Sequence, residues 1–248
     1  MSVPFWVAEL AAAFWAEARE VEPFPRHLRR PIARSLPLAV VLLPKLTVAA
    51  ILKWLRNNGI ICELGPKDRP LRACLVARYG CGFAFLDGSD PDAEQRFSLA
   101  HELAHFLRDY WNQRREVSKR LGKKALEVMD GTRPATPEER LHALLRDTSI
   151  GFHMHLMARD EDGHLMTSEA AEAEKSADRL AYELLAPAGH VLANCRSPTR
   201  KALTEELCAS YGLPGLQASR YAEILLPAPY TDPLLLRLKK RAGRSRVI

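Results

Sequence analysis

Apolar positions fall into short unbroken runs in the first third of the chain and into helix-period stripes thereafter. An amphipathic stretch with Phe5, Trp6, Leu10, Phe14 and Trp15 predicts a packing helix, and the Pro/Arg-rich segment from Pro23 to Arg34 reads as a connector. Leu38 to Leu43 is a short apolar strand or loop, and Thr47 to Asn57 a helix that stops at Asn58-Gly59. Ile60 to Glu63, Leu71 to Arg78 and Cys81 to Leu86 read as strands, the last two joined near Tyr79-Gly80, which makes a small sheet. Ser89 and Asp92 stand at capping-box spacing with Pro91 between them, so a helix opens near residue 90 and runs through Phe97 to Tyr110.

From Asn112 to Gly163 the chain is polar, with helical patches around Arg114 to Met129 and Glu138 to Leu145. It is too long for a plain loop in a compact domain and reads as an inserted helical lobe. A long helix follows from Ser168 to Ala186, stopped by Pro187. Arg200 to Ser210 and Pro214 to Leu225 then flank Tyr211-Gly212-Leu213 in the outline of a helix-turn-helix. The expected class is α+β, mainly helical. The expected division is an N-terminal helical segment and connector at 1–44, a main domain at 45–190 with its insertion at about 112–165, a helix-turn-helix-like subdomain at 191–230 and a basic tail at 231–248.

Composition sharpens this only at the ends. Of the 248 residues, 36 are Lys or Arg and 30 are Asp or Glu, but Arg237, Lys239, Lys240, Arg241, Arg244 and Arg246 account for the whole excess. The body is neutral, and the tail is a candidate contact for nucleic acid. Five cysteines form no CxxC pair, and Met1 to Ala18 combines no positive charge with Glu9 and Glu17, unlike a signal peptide. Free thiols in a reducing cytoplasm are therefore expected. Leu36 to Leu55 is apolar, but Pro37, Pro44, Lys45 and Lys53 interrupt it, so no membrane span is expected.

His101-Glu102-Leu103-Ala104-His105 is an HExxH. Two imidazoles four residues apart on a helix share a face and can bind one metal ion, with Glu102 beside them. The bland alternative, two ordinary helix histidines, meets the apolar surround of Phe97, Leu99, Ala100, Leu103, Ala104, Phe106 and Leu107, where unpaired polar groups cost about 1 to 3 kcal/mol each. In the Ser168 to Ala186 helix, Ala173, Ala177, Leu180, Ala181, Leu184 and Leu185 form the apolar stripe. Glu174 and Asp178 lie at its margin, either as a solvated edge or as a zinc ligand and a carboxylate behind a ligand histidine.

The runs Arg96-Phe97-Ser98-Leu99-Ala100-His101-Glu102-Leu103-Ala104-His105 and Glu174-Lys175-Ser176-Ala177-Asp178-Arg179-Leu180-Ala181-Tyr182-Glu183-Leu184-Leu185-Ala186-Pro187 resemble the ImmA/IrrE-type zinc metallopeptidases, whose pattern is roughly rFtlAHELgH and then ExxAxxFAxxLLxP. Ala104 stands where that pattern has Gly, and Leu180 where it has Phe. The spacing from His105 is also longer, which leaves Glu169 and Glu172 as rivals to Glu174. The resemblance implies a gluzincin-like minimal metallopeptidase core with one zinc per chain on His101, His105 and Glu174, and Glu102 as the catalytic carboxylate. It also implies cleavage of a helix-turn-helix transcriptional repressor in stress or mobile-element regulation.

Peptide hydrolysis of this kind wants a donor for the developing oxyanion. Tyr182, Tyr110, His153 and His155 are candidates, with His164 nearby, although the histidines also read as surface or packing residues. The strand Cys81 to Leu86 is the candidate edge for an extended substrate. Two other readings stay open: a DNA-binding transcriptional regulator whose metal site is structural or vestigial, and metal-dependent hydrolysis of a small molecule.

Overall fold

The computed structural model describes residues 3–19, 23–62, 67–137, 139–140, 153–158, 168–195 and 199–227. The Glu138 to Leu145 helical patch, apart from residues 139–140, together with His164, Glu63 and the basic tail, lies outside them.

Helix α1 (Phe5–Ala18) buries Val7, Ala11, Phe14 and Ala18, one stripe of a 3.6-residue period, and leaves Phe5 on the surface. Within the expected connector, Arg29–Ser35 forms α2. Strand β1 (Leu38–Leu43) precedes α3 (Val48–Asn57), whose first turn is capped by Thr47 accepting from the Ala50 amide at 3.1 Å. Strands β2 (Leu71–Arg78) and β3 (Cys81–Asp87) form a hairpin whose two turn residues, Tyr79 and Gly80, both have positive φ, 54° and 79°. That is the turn whose twist matches paired strands. Ile60 to Cys62 is not a strand: Ile60 and Cys62 pack against the α3 side of the core and Ile61 is 86% exposed, but the segment pairs with no strand among the described residues.

Helix α4 (Asp92–His105) starts at Pro91 without a side-chain cap. The expected capping serine is occupied elsewhere, since Ser89 donates its hydroxyl to the buried Asp87, which also accepts from the Leu46 amide at 3.0 Å. The chain continues without a break into a π-helical turn (Phe106–Trp111) and α5 (Asn112–Leu121), which ends at Gly122 before the short α6 (Ala125–Met129). His153–Ala158, expected inside a helical insertion, instead forms β4. There follow α7 (Ser168–Leu185), α8 (Ala188–Asn194), α9 (Arg200–Ala209) and α10 (Gly215–Leu225).

The sheet has the order β1-β3-β2-β4, with β1 parallel to β3 and the other pairs antiparallel. β3 is therefore interior and cannot be the free edge expected from the sequence; β1 and β4 are the edges among the described residues. Ala73, Leu75, Ala77, Ala84 and Leu86 face a core shared with α1, α4, α7, α9 and α10, while Cys74, Val76 and Phe85 face α3 through Ile51 and Leu55. Leu203, Leu207, Tyr221 and Ala222 lie in the same core as Ala100 and Ala104, so the C-terminal helix pair shares its interior with the HExxH helix. No helix among the described residues is long and apolar enough to cross a membrane, and none of the five cysteines is in a disulfide.

Helices α4 and α7 pack against each other, and Ala100, Ala104, Ala177 and Ala181 are all buried within the core they share. Small side chains allow backbones to approach, and enlarging one in a filled core costs about 1 to 3 kcal/mol. Ala181→Leu should therefore lower the Tm and also weaken metal retention, because it parts the helices that carry the site. A normal Tm in a scanning unfolding experiment would show that the contact is not tight.

Candidate metal centre

One helical turn separates His101 from His105 on α4, and both are almost wholly buried, at 2% and 3% exposure. Their Nε2 atoms are 3.2 Å apart. Glu174, reaching across from α7, places Oε2 3.2 Å from His101 Nε2 and Oε1 3.4 Å from His105 Nε2. A tetrahedral ion with bonds of about 2.0 to 2.1 Å needs ligand atoms about 3.4 Å from one another, so these three side chains stand at the separations a zinc-sized ion requires. His155 adds a third imidazole from β4, with Nε2 2.9 Å from Glu174 Oε1. His101, His105, His155 and Glu174 together form a group that can hold a metal ion.

Each HExxH imidazole is backed by a carboxylate. His101 Nδ1 lies 2.9 Å from Asp178 Oδ1, and His105 Nδ1 lies 2.7 Å from Asp109 Oδ2. A proton on Nδ1 donated to these carboxylates leaves both Nε2 lone pairs facing the centre, the tautomer a metal ligand needs. Asp109 is itself held by Arg108, whose Nη2 donates to Oδ2 at 2.8 Å and whose Nη1 donates to the Ala173 carbonyl of α7 at 2.8 Å. Sequence reading overlooked Asp109. The signal was there, because a carboxylate four residues after His105 continues the same helical face.

Charge is the dominant feature of the cluster. Burial pushes the Glu174 carboxyl up, but contacts with His101, His105 and His155 outweigh it and hold the group well below the usual carboxylate range. Burial lowers His155, and the neighbouring Glu102 and Glu174 carboxylates override it, pushing the imidazole up to about 10. His155 Nδ1 is 2.9 Å from Glu102 Oε2. His153, two residues away on the same strand face, meets burial without comparable support and falls to about 4. Glu102 is completely buried, and its Oε1 finds no hydrogen-bond partner among the described residues. An orphaned carboxylate oxygen beside a ring of donor atoms is what an ion with its water would satisfy.

No protein-family profile and no curated protein matches this chain.

The remaining candidates are placed as follows. Tyr182 is buried against Tyr221, ring centroids 4.5 Å apart, and donates its hydroxyl to Gln217 Oε1 at 2.7 Å. The Tyr110 hydroxyl accepts from the Gly80 amide at 2.7 Å, pinning the β2–β3 turn. His153 lies with its ring centroid 6.2 Å from that of Tyr110, and its Nε2 is without a partner among the described residues. Glu172 is exposed and sits near Lys175 and Arg179, at 3.8 Å and 3.7 Å, and Glu169 is exposed in the first turn of α7. Neither rival belongs to the metal-holding group.

Metal analysis of the purified chain should therefore find zinc retained by Glu169→Ala and Glu172→Ala and lost from Glu174→Ala. Equal loss in Glu172→Ala would mean that a different register of α7 supplies the ligand.

Proposed function

We propose that this chain is a zinc-dependent endopeptidase of the ImmA/IrrE type, with a gluzincin-like core in which His101, His105 and Glu174 hold the ion and Glu102 is the catalytic carboxylate. The observation that carries the reading is the convergence of two histidines from α4 and one glutamate from α7 at ligand separations, beside a buried glutamate with a free oxygen. When bound, zinc would supply Lewis acidity, lowering the pKa of a water and polarising a carbonyl.

The rest is work for the protein's own side chains. Glu102 Oε2 is engaged by His155, so Oε1 is the atom left to take the proton from water and hand it to the leaving amine nitrogen. His155 is assigned to this side of the chemistry by its ring geometry. Two imidazoles converging on one tetrahedral ion splay, with ring centroids about 5 Å apart. His101 and His105 do so, at 4.9 Å and 62°, but His155 lies stacked on His105 at 3.8 Å and 19°. It is the one candidate among the four that touches Glu102, at 2.9 Å, and so bears on the orientation of that carboxylate.

Substrate is expected along β4. Its outer edge has no strand partner among the described residues, and an extended chain can add to such an edge through backbone hydrogen bonds. His153, His155 and Met157 alternate onto the core face of β4, so a strand docked beside it would run past the centre. The family resemblance supports a helix-turn-helix repressor as the protein cleaved, and a cytoplasmic setting.

Glu102→Gln removes the proton acceptor and keeps the shape. With zinc supplied, the wild type should generate new amino termini in a proteome-derived mixture analysed by mass spectrometry, and Glu102→Gln should hold the metal yet generate none. His155→Ala should keep zinc and lose cleavage by about 10²-fold or more. Cleavage by Glu102→Gln at the wild-type rate, or no new termini with the wild type, would overturn the peptidase reading.

A further inference from the structure

Immediately after the second HExxH histidine, the helix widens into a π-helical turn over Phe106–Trp111. Such turns are uncommon and cluster at functional sites, where an extra residue re-aims neighbouring side chains. Here the re-aimed pair is Arg108 and Asp109. The guanidinium grips Asp109 with two nitrogens, Nε on Oδ1 and Nη2 on Oδ2, and its remaining arm donates to the Ala173 carbonyl at 2.8 Å. Asp109 Oδ2 meets His105 Nδ1 at 2.7 Å, and Ala173 is the residue before Glu174. One planar side chain thus reaches behind a ligand on α4 and beside a ligand on α7.

We infer that Arg108 is a positioning residue of the metal centre: it fixes His105 through Asp109 and the α7 backbone at Glu174 through Ala173, so that two ligands from different helices are held at one spacing. This rests on the reading of His101, His105 and Glu174 as metal ligands.

Two features set this apart from an ordinary surface ion pair. First, the pair is largely buried, at 20% and 21% side-chain exposure, where geometry counts for more than at a solvated site. Second, the arrangement is asymmetric. Asp178, which backs His101, is paired with no arginine or lysine among the described residues, and Arg179 beside it leans toward Glu172. The His101 carboxylate comes from α7 itself and needs no further tie to that helix. The His105 carboxylate is in the π-helical turn that continues α4, so without Arg108 nothing in that second pair would link it to α7. A lysine keeps the charge but loses the fork that serves three acceptors at once.

The test uses the full chain and zinc or cobalt(II) alone as probe. Chelator competition on Arg108→Gln and Asp109→Asn should show affinity weakened by about 10 to 100-fold, the effect expected when support behind a ligand is removed. The visible absorption of the cobalt(II)-loaded protein should shift, and Arg108→Lys should recover only part of either change. The metal-free Tm of Arg108→Gln should stay close to that of the wild type. An unchanged affinity and cobalt spectrum in Arg108→Gln, with the wild type binding metal normally, would overturn the role of Arg108 and leave the metal centre standing. A wild type that binds neither ion would remove the centre and this inference together. If Arg108→Gln does not fold, Asp109→Asn and Arg108→Lys decide between the same outcomes.

Discussion

His101 is bracketed by α7. Its Nδ1 faces Asp178 at 2.9 Å and its Nε2 faces Glu174 at 3.2 Å, and those two carboxylates are one helical turn apart, a rise of about 5.4 Å. A turn of helix thus spans both nitrogens of a single imidazole, which fixes the register of α7 against α4 to the residue. Sliding α7 by one position would rotate both acids away and leave a buried imidazole unpaired. The cost of moving charge out of water, several kcal/mol per ion before any repayment, makes that register the one in which the core can close. Alanines at 100, 104, 177 and 181 are the packing side of the same constraint, since they fill the core around these helices with the smallest side chains.

The sheet adds the third imidazole by a different route. β4 pairs antiparallel with β2, with His155 opposite Leu75, and alternation sends His153, His155 and Met157 to one face and Leu156 to the side of α3. A slip of one residue would turn His155 away from Glu102 and place a methionine or leucine in its stead. The setting of Glu102 thus depends on strand register as much as on its own helix. Strand and helices meet at one carboxylate pair, Glu102 and Glu174, each 2.9 Å from a nitrogen of the His155 ring.

These two routes explain what could be read beforehand. The shared face of His101 and His105 on α4 and the candidates Glu174 and Asp178 on α7 were legible because helix periodicity is local: spacing alone says which residues share a face. Asp109 is equally local, four residues beyond His105 on the same helical face, although it lies outside the HExxH pattern itself. His155 was a different case. Its HxH spacing shows only that two imidazoles share a strand face, and the partner strand β2 is about eighty residues away in sequence. The same blindness to pairing order made Cys81 to Leu86 look like an edge, when the parallel insertion of β1 beside it makes it the interior. The stretch from 112 to 165 was read by composition as one helical lobe, yet its apolar run at Met154 to Met157 is strand β4, which extends the sheet.

The C-terminal helix pair shows how an outline acquires meaning only from its contacts. Arg200 to Leu225 does fold as two helices around a tight turn, as its sequence indicates. In that turn, Gly212 has φ of 64° and accepts from Arg96 Nη2 at 3.0 Å, five residues ahead of His101. A Cβ there would come to 2.9 Å from Pro25 Cβ and crowd the Arg96 guanidinium, so the backbone angle and the close approach of Pro25 both favour glycine. Tyr221 of α10 donates to the Ala186 carbonyl at the end of α7, at 3.0 Å, and Tyr182 of α7 donates to Gln217 of α10. The C-terminal pair is thus tied, through Arg96, Tyr182 and Tyr221, to the two helices that carry the candidate metal group.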